Sequence, residues 1–399
     1  MPNLDINLKN IFDLFKNNEL DKALELCDQN TQKKIEHIVY NFKGAIYLKK
    51  QNIIKAQENF LSSIESNKDF IDPYKNLFII YNNKKEFNNL VEIAYKILEF
   101  DKKSSVYNFQ VGYALEKNGH LSKSLEYYEK ANNLGFNDKK KLFNNLANVY
   151  LNLGKIDKSI ELYENTYLSN TKDKVLLNNL LGAYLQKRNV EKSEYYLNEG
   201  EKLDSEYLIF KFHKAKYLFL INKVDEAINL LKEIISTENN IEFIGLLCRI
   251  YFMTSRLTDG NKLLTEQLSK YPNNPKLLRF KCFRSLIEGN FDEGWKLYKY
   301  SQSNYSIKFP SIPEWMGEDL NSKKILVYND QGIGDAIQFS RYLINLNKKC
   351  KNIDFISNKS LVEIFDVKEY EGLNLVKEEN IDLNKYNFKI SLVSLVKFF

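Results

Sequence analysis

The chain has 399 residues, 44% apolar and 28% charged, an ordinary composition for two or three folded domains. Its formal charge of +6 is spread rather than clustered, residues 310–399 holding 12 Lys/Arg against 13 Asp/Glu, so no nucleic-acid partner is expected. The opening stretch MPNLDINLKNIFDLFKNN breaks its apolar residues with Asp and Lys, and no apolar run reaches the roughly 18 residues of a membrane span, so a cytoplasmic protein is expected.

From the start of the chain the dominant signal is repetition. Short or small residues recur at Ala23, Ala56, Leu90, Ser124, Ser159, Ser193, Ala227, Gly260 and Gly294, at intervals of 33, 34, 34, 35, 34, 34, 33 and 34. Twelve positions before them stand Ile11, Gly44, Phe78, Gly112, Ala147, Leu181, Ala215, Cys248 and Cys282. Four positions after them come Cys27, Phe60, Ala94, Tyr128, Tyr163, Leu197, Leu231, Leu264 and Tyr298. Small residues where two helices touch, with bulky ones filling the gap beside them, resemble the tetratricopeptide repeat over residues 4–301, about nine helical hairpins. One hairpin cannot bury its apolar face alone. The resemblance therefore implies a right-handed superhelix without strands, its concave groove lined by the first helix of each pair. Turn signals such as Lys117-Asn118-Gly119 and Asn152-Leu153-Gly154 fall where the hairpins need them. Cys248 and Cys282 occupy equivalent packing positions, and with Cys27 and Cys350 they show no CxxC spacing. His37, His120 and His213 stand alone, so neither disulfides nor a metal site is expected.

Two positions before the contact residues lie Asn76, Gln110, Asn145, Asn179 and His213, one per repeat, on the face expected to line the groove. A column of amides offers donors and acceptors to the backbone of an extended peptide. It resembles the asparagine ladder in the repeat domain of protein O-GlcNAc transferases. The alternative is a solvated face, because 49 asparagines will place amides almost anywhere, and Phe42 and Leu246 interrupt the column at its ends.

After Trp295 the repeat stops, and residues 302–322, with Pro310 and Pro313, read as a linker. Beyond it the pattern alternates: strand 324–328, helix 336–347, strand 353–357, a short helix near 361–365, and strands near 373–376 and 388–392. That alternation predicts a parallel sheet covered by helices, with ligands beyond the carboxyl ends of the strands. Between the first strand and helix lies Asn329-Asp330-Gln331-Gly332-Ile333-Gly334-Asp335, a glycine loop of the kind that brings backbone N–H groups to a phosphate or sugar-phosphate. There is no third glycine where a dinucleotide fingerprint needs one, since Ile337 stands there, and no Gly-Lys-Ser/Thr of a P-loop.

Pro313-Glu314-Trp315-Met316-Gly317-Glu318, then KILV, then Gln331-Gly332-Ile333-Gly334-Asp335 and Gln338-Phe339-Ser340-Arg341-Tyr342-Leu343 resemble the start of the glycosyltransferase module in bacterial tetratricopeptide-repeat proteins related to the heptosyltransferase-like family 9 enzymes. Leu392-Val393-Ser394-Leu395-Val396 is similar to a family LxSLP segment, with Val396 in place of the proline. The resemblance implies the Rossmann-like first half of a GT-B fold, with Asp335 as candidate general base and Gln331, Gly332, Gly334 and Arg341 at the ligand. Asp335 reads equally as the N-cap of the following helix, both glycines read as demanded by the turn, and Arg341 has Asp354 or Glu363 as ion-pair candidates. Residues 323–399 amount to about half of a domain of this kind. The expected fold is thus mainly α, a repeat superhelix followed by a partial α/β domain. Two functions stay open: a fragment of a sugar transferase, inactive as given and needing a nucleotide-sugar donor only in its intact parent, or a non-catalytic scaffold binding an extended peptide or protein. No other cofactor is expected.

Overall fold

The structure is a computed structural model that describes residues 6–30, 33–169, 173–301, 309, 311–329, 331–356, 373–377 and 381–399. The expected short helix near 361–365, with Glu363, and the loop residue Asp330 lie outside them, as does most of the linker stretch 302–310. The chain divides into two compact units, residues 1–213 and 214–399.

The first unit consists of helical hairpins: α1 (Ile6–Lys16) with α2 (Leu20–Gln29), α3 (Glu36–Lys49) with α4 (Ile53–Ser66), and α5 (Asp72–Lys84) with α6 (Phe87–Phe100). Then come α7 (Ser105–Lys117) with α8 (Leu121–Asn133), α9 (Lys139–Asn152) with α10 (Ile156–Leu168), and α11 (Lys174–Lys187) with α12 (Val190–Leu203). The boundary between the units falls within α13 (Leu208–Leu220). The second unit continues with α14 (Val224–Thr237), α15 (Ile241–Met253), α16 (Leu257–Lys270), α17 (Pro275–Ile287) and α18 (Phe291–Leu297). The small residues of the repeat signal are where the two helices of a pair meet. Ala23, Ala56, Leu90, Ser124, Ser159, Ser193 and Ala227 are each fully buried. Ser124 Oγ donates to the carbonyl of Gly112 and Ser159 Oγ to that of Ala147, both at 2.7 Å and both across the predicted twelve-residue separation. Burial pushes the Cys248 thiol up to about 12, as befits a packing residue rather than a nucleophile.

Each helix pair closes on one left-handed residue: Asn18, Gln51, Lys85, Gly119, Gly154, Arg188, Asn222, Ser255 and Gly289, spaced 33, 34, 34, 35, 34, 34, 33 and 34 apart. The hydrogen bonds there form a Schellman cap, as where Lys85 N–H reaches Asn82 O at 3.1 Å and Glu86 N–H reaches Tyr81 O at 2.9 Å. Six of the nine turns use a residue with a Cβ, at a conformational cost of roughly 1 kcal/mol each, because the stacked helices hold the turn closed.

Residues 311–399 build the α/β part of the second unit. Strands β1 (Ile325–Tyr328), β2 (Ile353–Ile356), β3 (Leu373–Val376) and β4 (Phe388–Ser391) pair in parallel in the order β3-β2-β1-β4. All four residues of β1 and of β2 are buried, as expected of strands covered on both faces. On one face Ile325, Val327, Ile353, Phe355 and Ile390 pack against Ala336, Leu343 and Leu346 of the covering helices and against Leu392 and Leu395. On the other, Leu326, Tyr328 and Ile356 pack against Ile312 and the half-buried Leu383 and Tyr386. The expected single helix 336–347 is instead two, α19 (Ile333–Phe339) and α20 (Arg341–Lys349). They part at Ser340, whose hydroxyl folds back onto the Ile337 carbonyl at 2.7 Å and competes with the regular ladder.

Asp354 is buried on β2 and accepts from Lys324 at 2.9 Å, Tyr386 at 2.6 Å and Asn374 at 3.2 Å. Burial pushes its carboxyl up, but the Tyr386 hydroxyl, Lys324 and Asn374 together hold it below the usual carboxylate range. A carboxyl depressed in the folded state contributes stability that is complete above the unfolded value near 3.9 and fades as the pH falls through the folded one. Asp354→Asn is therefore expected to lower unfolding stability by about 1–3 kcal/mol at pH 7, the difference from the parent shrinking below about pH 4. Urea unfolding at the two pH values measures this, and a constant difference would contradict it.

Candidate functional site

Two places were candidates, the glycine loop and the amide column. In the loop, Asn329 N–H bonds the Ile356 carbonyl at 3.2 Å, while its side chain donates to Gln331 O at 3.0 Å and accepts from Gln331 N–H at 3.3 Å. Gly332, not Asp335, takes the N-cap position of α19, and its carbonyl accepts from Ala336 N–H at 3.0 Å. Asp335 sits in the first turn, exposed and without a capping bond. The turn does not demand either glycine. Gly332 has φ −66° and ψ 170°, extended backbone open to any residue, and nothing lies within 4 Å of a Cβ placed on Gly334. A Cβ on Gly332 would lie 3.6 Å from Asp335 Oδ2, an ordinary contact. What the glycines do is leave the start of α19 uncovered.

Arg341 begins α20, exposed, with its guanidinium 5.2 Å from the Tyr342 ring centroid. It does not pair with Asp354, whose oxygens are already taken by Lys324, Tyr386 and Asn374. No bond joins Arg341 to the loop among the described residues.

The Pro313-Glu314-Trp315 stretch has a structural task that sequence reasoning missed. Trp315 N–H donates to Lys389 O at 2.8 Å and Lys389 N–H to Pro313 O at 2.9 Å, so this segment runs parallel to β4 and covers the edge of the sheet. The Trp315 ring is 1% exposed, donates to Glu318 O at 2.8 Å and packs on Phe398 with centroids 4.5 Å apart. Alongside it, Trp295 of α18 meets Phe339 of α19 edge to face at 5.9 Å.

The amide column is less exposed than a groove lining would be. Asn76, Gln110, Asn145 and Asn179 are half-buried, and His213 is 5% exposed. Asn76 Nδ2 donates to Asn41 Oδ1 at 3.1 Å, Asn179 Nδ2 to Asn144 Oδ1 at 2.8 Å, and His213 Nε2 meets Asn178 Oδ1 at 2.6 Å. Each of these pairs is 35 residues apart, one repeat plus one position, where neighbouring first helices lie side by side. These amides stitch hairpin to hairpin. The partners Asn41, Asn144 and Asn178 went unnoticed in the sequence, although the doublets Asn144-Asn145 and Asn178-Asn179 carried the signal.

Between the stitched stretches the column opens. Asn145 Nδ2 donates to the Tyr128 hydroxyl at 3.2 Å, which donates to Glu116 Oε2 at 2.7 Å. Burial first and Glu116 second push the Tyr128 hydroxyl far above its ordinary value, so it stays protonated. Gln110 Oε1 is buried and has no hydrogen-bond partner among the described residues. An unmet buried acceptor costs about 1–3 kcal/mol.

Comparison with known proteins agrees with the hairpins. The family model for the tetratricopeptide repeat matches residues 106–134 and 141–165, which are α7–α8 and α9–α10. Tetratricopeptide repeats are therefore part of this chain, and repeats of this kind bind peptides and proteins. Photosystem I assembly protein Ycf3 of Prochlorococcus marinus (strain MIT 9301) is 35% identical over 109 residues, 26% of this chain. The chain spans 62% of the length of that relative. Among solved structures, a tetratricopeptide repeat protein from Parabacteroides merdae ATCC 43184 is 14% identical with a TM-score of 0.46, covering 68% of this chain and 94% of its own. A thermophilic repeat protein of Thermus thermophilus is 18% identical with a TM-score of 0.40, covering 45% and 97%. Among the described residues no helix is long and apolar enough to cross a membrane, and no group of His, Cys, Asp and Glu is arranged to hold a metal ion.

Proposed function

We propose that this protein is an interaction scaffold whose first unit holds an extended segment of a partner along α5, α7 and α9, with Gln110 at the centre. The observation that carries the reading is the orphaned Gln110 Oε1, a buried acceptor on α7, which among the described residues no amide-to-amide pair joins to the neighbouring first helices α5 and α9. A backbone N–H of the bound segment would satisfy it, while Asn76 and Asn145 each keep a second amide proton beyond the bond they already make. The curated relative is itself named an assembly protein, which suits a scaffold. A division into a repeat part over 4–301 and an α/β part over 323–399 belongs to the same proposal. The test uses the tightest peptide selected from a random library on the full chain. Gln110→Ala is expected to weaken it by about 0.5–1.5 kcal/mol, the worth of one hydrogen bond, with little change in folding. Equal affinity in isothermal calorimetry would overturn the assignment.

A second reading assigns the α/β part to sugar transfer. It is supported by the all-parallel order β3-β2-β1-β4, which reverses direction beside β1, so that the loop at the carboxyl end of β1 stands where ligands of such sheets bind. Asp335 would be the base, with Gln331, Gly332, Gly334 and Arg341 toward the ligand. Fusion to a donor-binding half should bring turnover that Asp335→Asn abolishes; turnover surviving that substitution would dismiss Asp335.

A further inference from the structure

A groove of about 480 Å³ opens between α6 and α8 of the first unit, with the start of α7 at its floor. That is the size of a small-molecule site. Asn108, on α7, lines the groove and is 2% exposed. Both protons of its amide are used, Nδ2 donating to Lys102 O at 3.0 Å and to Ser104 O at 2.9 Å, which fixes the orientation of the amide and turns Oδ1 to the groove. Oδ1 has no hydrogen-bond partner among the described residues. The same position holds Tyr74 one hairpin earlier and Phe143 one hairpin later, so the asparagine gives up the volume of a ring. At the rim Lys102 and Lys130 are exposed, and neither has a carboxylate partner among the described residues; Glu99, the carboxylate lining the groove, is taken by Lys96 at 3.2 Å. Lys130 Nζ stands 4.5 Å from the Tyr127 ring centroid, and Tyr127 meets Tyr95 edge to face at 5.8 Å. Burial first and Tyr127 second push the Tyr95 hydroxyl up to about 12, so it stays a donor.

We infer that this groove binds a nucleoside monophosphate whose base carries an amino group. The recess and the rim make opposite demands on a ligand: Asn108 Oδ1 repels an anion and needs an N–H, whereas Lys102 and Lys130 need negative charge. One molecule must bring both, at separate ends. An aminopurine supplies the N–H for Oδ1, a ring nitrogen that accepts from the Tyr95 hydroxyl, and an aromatic surface for Tyr95 and Tyr127. Its phosphate, with about two negative charges at pH 7, lies with the lysines. A bare anion satisfies the lysines alone, and an apolar ligand satisfies neither end. The inference does not rest on the scaffold reading. Gln110 stands two residues beyond Asn108, about 200° around α7, so the two sites fail separately.

The experiment titrates the full chain by calorimetry with adenosine monophosphate, with purine riboside monophosphate, which lacks the amine, and with adenosine, inorganic phosphate and oligoadenylate. Adenosine monophosphate is expected to bind once per chain, loss of the amine weakening it about fivefold and loss of the phosphate at least tenfold. The analogue tests Asn108 without altering the fold. Lys102→Gln and Lys130→Gln should each weaken adenosine monophosphate about fivefold and leave adenosine unchanged. Lys123→Gln, on α8 outside the groove, and Gln110→Ala should have no effect. No binding of adenosine monophosphate, equal affinity for the analogue, unchanged binding by the two lysine variants, phosphate alone binding as tightly, or oligoadenylate binding more tightly would each overturn the inference.

Discussion

Gly44→Leu is expected to destabilise the first unit by more than about 3 kcal/mol and to lower its urea midpoint sharply. A Cβ alone on Gly44 would lie 2.6 Å from two ring carbons of Phe60 and 2.9 Å from a third, and Phe60 is fully buried with no room to turn aside. Two effects compete. Removing a helical glycine gains up to about 1 kcal/mol of helix propensity, whereas overpacking a closed contact costs about 1–3 kcal/mol for the first carbon and more for a leucine. Packing wins here because both α3 and α4 are fixed by their neighbours. Stability equal to the parent would mean that α3 and α4 do not touch at Gly44.

Trp315→Ala is the second large effect, about 3–5 kcal/mol for deleting a fully buried indole. The loss removes the packing on Phe398 and the bond to Glu318 O, and it loosens the segment that covers β4. Unfolding of the α/β part is expected, seen as fast amide exchange at Ile325–Tyr328 and Phe388–Ser391, while helices of the first unit stay protected. Unchanged protection of β1 and β4 would contradict this role for the tryptophan.

These two positions also mark what the sequence discloses. Gly44 was visible because packing between paired helices repeats with the chain: contact positions recurring every 33–35 residues, most of them small, need no knowledge of other hairpins. The strands were visible as short apolar runs, unbroken in β1 and interrupted by the buried Asp354 in β2 and the buried Lys389 in β4. Trp315 was visible only as part of a resemblance, since its partners, Lys389 and Phe398, lie more than 70 residues away and no local pattern links them. The left-handed turns were legible at Gly119 and Gly154 and hidden at Gln51, Lys85, Arg188 and Ser255, where tertiary packing overrides the residue's own preference. The amide column was legible as a periodicity. Its division into stitched pairs and an open stretch was not, because that depends on which neighbour each amide meets across 35 residues. The break at Ser340 and the position of Asp335 turn on single hydrogen bonds, which a pattern of apolar residues does not encode.

The central claim is that Gln110 reads the backbone of a bound segment, and a double-mutant cycle addresses it most directly. The selected peptide is compared with versions N-methylated at one backbone amide at a time, each titrated by calorimetry against the parent chain and Gln110→Ala. For one position the account predicts coupling: methylation weakens binding to the parent by about 0.5–1.5 kcal/mol and has little further effect on Gln110→Ala. Losses that add at every position would contradict it.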